Sequence, residues 1–341
     1  MNNFVTNRRK FLVGAQALAA SAMVPGLIGG AARAQNLAKV TYLTPFGYLI
    51  SFIETMYADV GGIYAKHGLN VTIEGGRGSS MAVQQVTAGN ALISRTGGTD
   101  LIKAYATDPS IVSVGEIYQS DIFFVISSKD APITKPEDMV GKTMGIVSAS
   151  GATENILDMM LAARDVPKAN VAREVVGNAP AAFGLVKQGR IAGFIATSDT
   201  VFQLNVDKQP VVAWSTDDVA PCPGQVYMTS KAQLEKSGDL IGKFLASVEE
   251  TLGVLLASKD LAPIVDQVTA KYDVFEAKRP DKGLAVLKHT LAKYEAPYKD
   301  KLASSKDHWK SAYDLMLKAG LISATADQNF HDDSARKLAF G

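Results

Sequence analysis

The chain has 341 residues, 47% of them hydrophobic and 20% charged, with a formal net charge of +1 at pH 7. That length supports two lobes with separate cores, and the composition excludes a disordered or fibrous chain. The near balance of charge, with no dense Lys/Arg run beyond the first residues, argues against nucleic acid as a partner.

The N-terminus reads as an export signal. Asn7-Arg8-Arg9-Lys10-Phe11-Leu12 opens it, an Ala/Gly-rich apolar run continues to about Ile28, and Ala32-Arg33-Ala34 supplies an A-x-A cleavage site. Paired arginines before Phe-Leu are similar to the twin-arginine pattern. A membrane anchor is the alternative, and the moderate hydrophobicity of the run and its small-x-small end favour cleavage instead. Residues 1–34 are therefore expected to be removed, leaving a periplasmic chain from Gln35 onward. Cys222 is the single cysteine, which excludes an intrachain disulfide and any multi-cysteine metal site.

From Lys39 the chain alternates between strand and helix patterns. Strands are expected near 39–43, 70–73, 91–94 and 111–114, with helices at 51–66, 81–87 and 100–107 between them. Gly68 and Gly89 stand where helix-terminating left-handed residues belong. A second series follows, with strands near 122–127, 143–147, 171–176, 191–196 and 211–214. Its helices are expected at 135–140, 153–164, 181–188 and 201–206. Strands separated by helices imply parallel pairing through right-handed crossovers. Beyond Val226 the pattern reads as almost wholly helical, over 240–257, 262–272, 282–294 and 309–319. Two α/β units and a helical tail imply a bilobal α/β protein.

Four stretches resemble the substrate-binding proteins of ABC importers, in the group of sulfonate, nitrate, taurine and thiamine-pyrimidine-precursor binders. They are Tyr64-Ala65-Lys66-His67-Gly68-Leu69-Asn70-Val71, then Val86 to Ala91 with Thr96 to Asp100, then Pro136 to Ile146, and finally Met316 to Ile322. Ala91 departs from the family pattern, which often has Asp there. The resemblance spans nearly the whole mature chain and implies a type II periplasmic-binding-protein-like fold, two α/β lobes joined by a two-strand hinge. Lobe 1 would comprise 38–121 and 222–341, with lobe 2 at 122–221. The crossings would fall near Gln119 to Asp121 and at Pro221-Cys222-Pro223-Gly224, which breaks regular structure.

Ligands of parallel sheets sit outside the carboxyl ends of strands, which selects the candidate loops. In the first unit these carry Phe46 and Tyr48, then Arg77, Gly78 and Ser79, then Arg95, Gly98 and Thr99. In the second they carry Ser150, Gly151 and Thr153, then Asn178, then Asp199. The glycine-rich stretch EGGRGSSM at 74–81 lacks the lysine of a phosphate-binding P-loop and the third glycine of a dinucleotide fingerprint. It leaves a turn with free N–H donors and a guanidinium suited to a carboxylate or sulfonate. Arg77 is thus either an anion contact, a solvated loop residue or an interlobe ion-pair partner. Arg95 is either a second cleft cation or a structural one. Thr153 is expected both to cap its helix and to touch ligand. Phe46, Tyr48, Tyr118 and Trp214 are candidates for an apolar wall, with core packing as the alternative, and turn-forming or capping roles suffice for Asn178 and Asp199.

Catalytic patterns are thin: the four histidines are scattered, no H-E-x-x-H or G-x-S-x-G occurs, and Glu54 with Asp59 reads as solvated charge on a helix surface. No metal, cofactor or enzymatic activity is expected. The resemblance implies a monomeric solute-binding component that closes on a small organic anion and delivers it to an ABC permease and its ATPase. A thiamine-pyrimidine-synthase-like enzyme and a periplasmic sensor subunit are the alternatives.

Overall fold

The computed structural model describes residues 36–341, so the expected export signal lies outside the described residues. Sheet I contains β1 (Ala38–Thr44), β2 (Leu69–Gly75), β3 (Ile93–Gly97), β4 (Ile111–Tyr118) and, from far later in the chain, β10 (Gln225–Ser230), in the order β2-β1-β3-β10-β4. Sheet II contains β5 (Phe123–Ser128), β6 (Thr143–Ile146), β7 (Ala172–Val175), β8 (Gly193–Thr197) and β9 (Val211–Ser215), in the order β7-β6-β8-β5-β9. The helices of the first half are α1 (Ile53–Val60), α2 (Ile63–Lys66), α3 (Ser79–Thr87), α4 (Gly98–Thr107), α5 (Ala152–Ala163), α6 (Phe183–Lys187) and α7 (Ser198–Val206). Those of the tail are α8 (Lys231–Ala257), α9 (Ala262–Thr269), α10 (Pro280–Lys299), α11 (Lys306–Lys318) and α12 (Ser334–Phe340).

The expectation of wholly parallel pairing is corrected. β10 runs antiparallel to β3 and β4, and β5 runs antiparallel to β8 and β9. Each is the first strand after the chain passes from one sheet to the other. A strand that begins at the edge shared by the two sheets must point away from it, whereas β3 and β8 end there: Phe123 pairs with Thr197, and Gln225 with Gly97. Both sets of strand carboxyl ends consequently face the same seam.

The expected helix over 51–66 is also corrected, because it breaks at Gly61-Gly62. A Cβ at Gly61 would meet the Tyr57 carbonyl at 2.8 Å, and Gly62 adopts φ +74°, a left-handed conformation that costs glycine little. The stretch 135–140 forms only a 3-10 turn, Pro136–Met139. β10 and α12 fall in the region read as almost wholly helical. There α8 begins nine residues earlier than its apolar periodicity, at the Ser230 capping box, where Ser230 Oγ accepts from Gln233 N at 3.2 Å and the Gln233 side chain accepts from Ser230 N. Phe244 of α8 then packs on Tyr42 and Tyr64 in the core of sheet I, with ring centroids 5.1 and 5.6 Å away.

The two chain crossings run backbone against backbone. Gly224 N donates to the Tyr118 carbonyl at 3.1 Å, and a Cβ at Gly224 would lie 2.1 Å from the Ser120 carbonyl oxygen. Gly224→Ala must therefore push the crossings apart, and a loss of about 1–3 kcal/mol is expected in denaturant unfolding. Gly184→Ala, where a Cβ meets nothing within 4 Å, should leave stability unchanged or slightly raised.

Candidate functional site

The seam is built from loops at the strand carboxyl ends. On the first side the β1 and β2 loops interlock through backbone: Gly76 N donates to Thr44 O at 2.8 Å and Gly78 N to Pro45 O at 2.7 Å. A Cβ at Gly76 would sit 2.3 Å from the Thr44 carbonyl oxygen, which explains this glycine without a nucleotide. Tyr48 donates its hydroxyl to Ile73 O at 3.2 Å and packs its ring on Tyr272, and the Phe46 ring lies 6.3 Å from that of Phe52. Arg77 is exposed and makes no ion pair or hydrogen bond among the described residues.

Arg95 is fully buried. Its Nη1 donates to Ser51 O at 2.9 Å and to Glu54 Oε1 at 2.8 Å, and its guanidinium is stacked between the Phe52 and Tyr118 rings, 4.6 and 4.7 Å from their centroids. Tyr227 and Tyr294 donate to the two oxygens of Glu54 at 2.9 and 2.7 Å. Glu54 is thus corrected from a solvated surface acid to a buried one, set on the apolar face of α1. Arg95 Nε and Nη2, the side-on edge of the fork, have no protein acceptor. Tyr118 is buried, stacked on Tyr294, and its hydroxyl reaches Ser51 O at 3.4 Å.

Two flanks carry the contacts between the sheets. On one, Asn155 of α5 donates to Asp100 at 2.8 Å and accepts from Lys103 at 3.2 Å, while Ala152 N donates to Ser79 Oγ at 3.3 Å. Gly98 and Thr99 are buried beside them: a Cβ at Gly98 would strike Pro223 at 2.6 Å, and Thr99 Oγ1 has no partner. On the other flank, Lys293 of α10 pairs with Asp199 of α7 at 3.0 Å and also reaches Ser198 Oγ. His289 of α10 stacks on Phe202.

The remaining expected residues serve their own loops. Thr153 Oγ1 accepts from Val147 N at 2.9 Å, Gly151 is the residue before α5, and Ser150 is exposed at φ +56°. Asn178 binds the end of β8, accepting from Thr197 N at 3.1 Å. Trp214 donates its indole N–H to Ile133 O at 2.9 Å, which ties it to the loop after β5. The structure thus gathers Phe46, Tyr48, Ser79, Arg95, Gly98, Thr99, Tyr118, Gly151 and Asp199 near the seam, leaving Arg77 and Ser150 exposed on its rim. Residues missed by sequence reasoning include Glu54, Asn155, Glu276 and Lys293. Glu276 and Lys293 lie in the tail, and no local signal connects Glu276 to Ile50, 226 residues earlier, or Lys293 to Asp199, 94 residues earlier.

These features together define a periplasmic-binding-protein fold. A solved structure from Bordetella bronchiseptica RB50 is similar at 17% identity, with TM-score 0.69, over 89% of this chain and 97% of that one. The alkanesulfonate-binding protein of Xanthomonas axonopodis pv. citri, bound to MOPS, matches at 14% identity and TM-score 0.62, over 84% and 95%. A Candida albicans protein described as having the generic periplasmic binding protein fold matches at 14% and TM-score 0.56, over 83% and 95%. The chain belongs to the NMT1/THI5-like family, whose profile matches residues 50–262. None of the curated proteins compared by sequence matches it.

Four carboxyls, Asp100, Glu116, Asp121 and Glu276, are pushed up to about 7, in each case foremost by burial. Asp121, in the first crossing, accepts from Ile122 N and Phe123 N and lies against Thr216 Oγ1, which is also 3.1 Å from the Phe123 carbonyl. A hydroxyl has one proton, so when Thr216 donates to Phe123 the Asp121 carboxyl must donate to Thr216. Carboxyls held more protonated in the folded chain than in the unfolded one stabilise the fold below the ordinary carboxylate range, and that contribution is lost as pH rises through about 7. The thermal midpoint should therefore fall between about pH 5 and about pH 8, and Asp121→Asn should flatten that slope in a pH series of melts.

Proposed function

We propose that this chain is the extracytoplasmic solute-binding component of an ABC-type importer, closing its two lobes on a small organic anion and delivering it to a membrane permease driven by an ATPase. The observation that carries the anion is the Arg95 edge, two parallel N–H groups buried without an acceptor. Leaving such donors unmade costs about 1–3 kcal/mol, and a carboxylate or sulfonate accepts both at once. Family membership and the alkanesulfonate-binding structural neighbour support the same reading. In it, solute binding is coupled to lobe closure through differential affinity for the closed form. The mature chain works in the periplasm as a monomer, exported by the twin-arginine route, with no catalytic step of its own.

Thermal unfolding of the mature chain from Gln35 should show a saturable shift with sulfonates or carboxylates, worth about 2.7 kcal/mol at about 100 times the dissociation constant. Arg95→Lys keeps the charge beside Glu54 and loses the fork, so calorimetric affinity should fall at least roughly tenfold in a folded variant. A shift from pyrimidines alone would favour the enzyme-like alternative. No shift from any class would sink the solute-binding reading.

A further inference from the structure

Three ion pairs cross the seam, and they share one polarity. Lys282 of α10 pairs with Asp207, Lys293 of α10 with Asp199 at 3.0 Å, and Lys318 of α11 with Asp165 at 2.9 Å. In each the cation is a tail lysine and the acid belongs to the side of sheet II, Asp199 and Asp207 at the two ends of α7 and Asp165 just beyond α5. Every other ion pair among the described residues joins groups on one side of the seam.

Two of the three lie on one line. α10 and α7 run antiparallel: Lys282 meets Asp207 at the end of α7, the His289 and Phe202 rings stack with centroids 4.8 Å apart, and Lys293 meets Asp199 at the start of α7. The matched stretches, Lys282 to Lys293 and Asp199 to Asp207, cover about 16 and about 12 Å of helix, and the lysine stems take up the difference. α10 is fixed to the first side by Tyr294, whose hydroxyl donates to Glu54 at 2.7 Å. On the second side a cavity of about 380 Å³, lined by Ile122 and Phe124 together with Ala292, Ala296 and Pro297, separates the later turns of α10 from sheet II. α10 therefore meets that side along α7.

Local electrostatics oppose both charges of the Lys282–Asp207 pair. Lys282 stands in the first turn of α10, and Asp207 follows the last residue of α7. A helix N-terminus disfavours a cation and a C-terminus an anion. Lys282 is only 8% exposed, and Asp207 is its one acidic partner among the described residues. Neither charge serves its own helix, so each is compensated only while α10 and α7 lie together.

We propose that the α7–α10 line is a latch that holds the two sheets together in the empty chain, so that the tail supplies part of the free energy of closure before any solute arrives. A latch of this kind raises the fraction of binding-competent molecules and with it the apparent affinity, through Lys282 and Asp207 rather than through contacts to the solute. That effect on affinity rests on the solute-binding reading; the latch itself does not.

Double electron–electron resonance on the empty mature chain reads the arrangement directly. Nitroxides go on Glu137→Cys and Lys236→Cys, exposed positions on opposite sides of the seam, and Cys222 is buried and takes no label. The chain with its latch intact should give one dominant distance. Asp207→Lys puts a cation at the C-terminus of α7, which suits that helix, and faces it with Lys282, which repels it; the population at a second distance should grow at least roughly fivefold. Lys282→Met keeps the buried stem and should shift the population in the same direction. Lys271→Met, which breaks the Lys271–Asp59 pair on the first side, should not. A broad spread of distances with the latch intact, an unshifted distribution in a folded latch variant, or an equal shift from Lys271→Met overturns the latch. No solute is present, so the solute-binding reading stands or falls separately, on the unfolding shift.

Discussion

The Arg95–Glu54 pair is the interaction on which the first lobe depends. It draws together β3, α1, β10 and α10, because Tyr227 and Tyr294 donate to the same carboxylate that Arg95 holds. The last two tyrosines come from chain that has already passed through sheet II, so the pair ties the returning tail onto the opening strands. Removing one partner of a buried pair leaves an uncompensated charge at a cost of about 3–5 kcal/mol, whereas a well-packed apolar replacement of both can be neutral. Stability alone therefore does not require this pair. What an apolar core could not provide is a rigid guanidinium, stacked between two rings, with one edge held and the other left without a protein acceptor.

Around this anchor, topology makes the seam. The strand that follows each crossing begins at the shared edge and runs outward, so the strands beside it end there. The loops and helix N-termini of both sheets are thereby turned towards each other. One flank is joined by an amide, Asn155, between Asp100 and Lys103, and the other by the Lys293–Asp199 pair from α10 and α7. Both sets of contacts are polar, between side chains that water could also satisfy. The crossings themselves leave little room, since Gly224 lies directly against Ser120.

Local sequence carried the periodic elements and the family resemblance, and the profile match over residues 50–262 agrees with the latter. It did less well where meaning depends on partners. Glu54 sits among apolar residues on a helix and read as a surface acid, because periodicity cannot say whether a distant arginine and two tyrosines wait for it. Arg77, with glycines around it, read as an anion contact, a solvated loop residue or an interlobe ion-pair partner; it is exposed, whereas Arg95 is fully buried. β10 was hidden because a strand bonded on both sides by residues over a hundred positions away needs no alternation of its own; all but its last residue are buried.

Length, charge balance, the α/β rhythm, the glycine stops and the motif order were determined by the sequence, since each depends on residues within a turn or two of one another. The antiparallel return strands, the burial of Glu54 and Glu276, and the free edge of Arg95 were decided only by the tertiary structure. Burial and charge pairing are set by which distant segments pack together, and an ionisable side chain takes its chemistry from those neighbours rather than from its place in the chain.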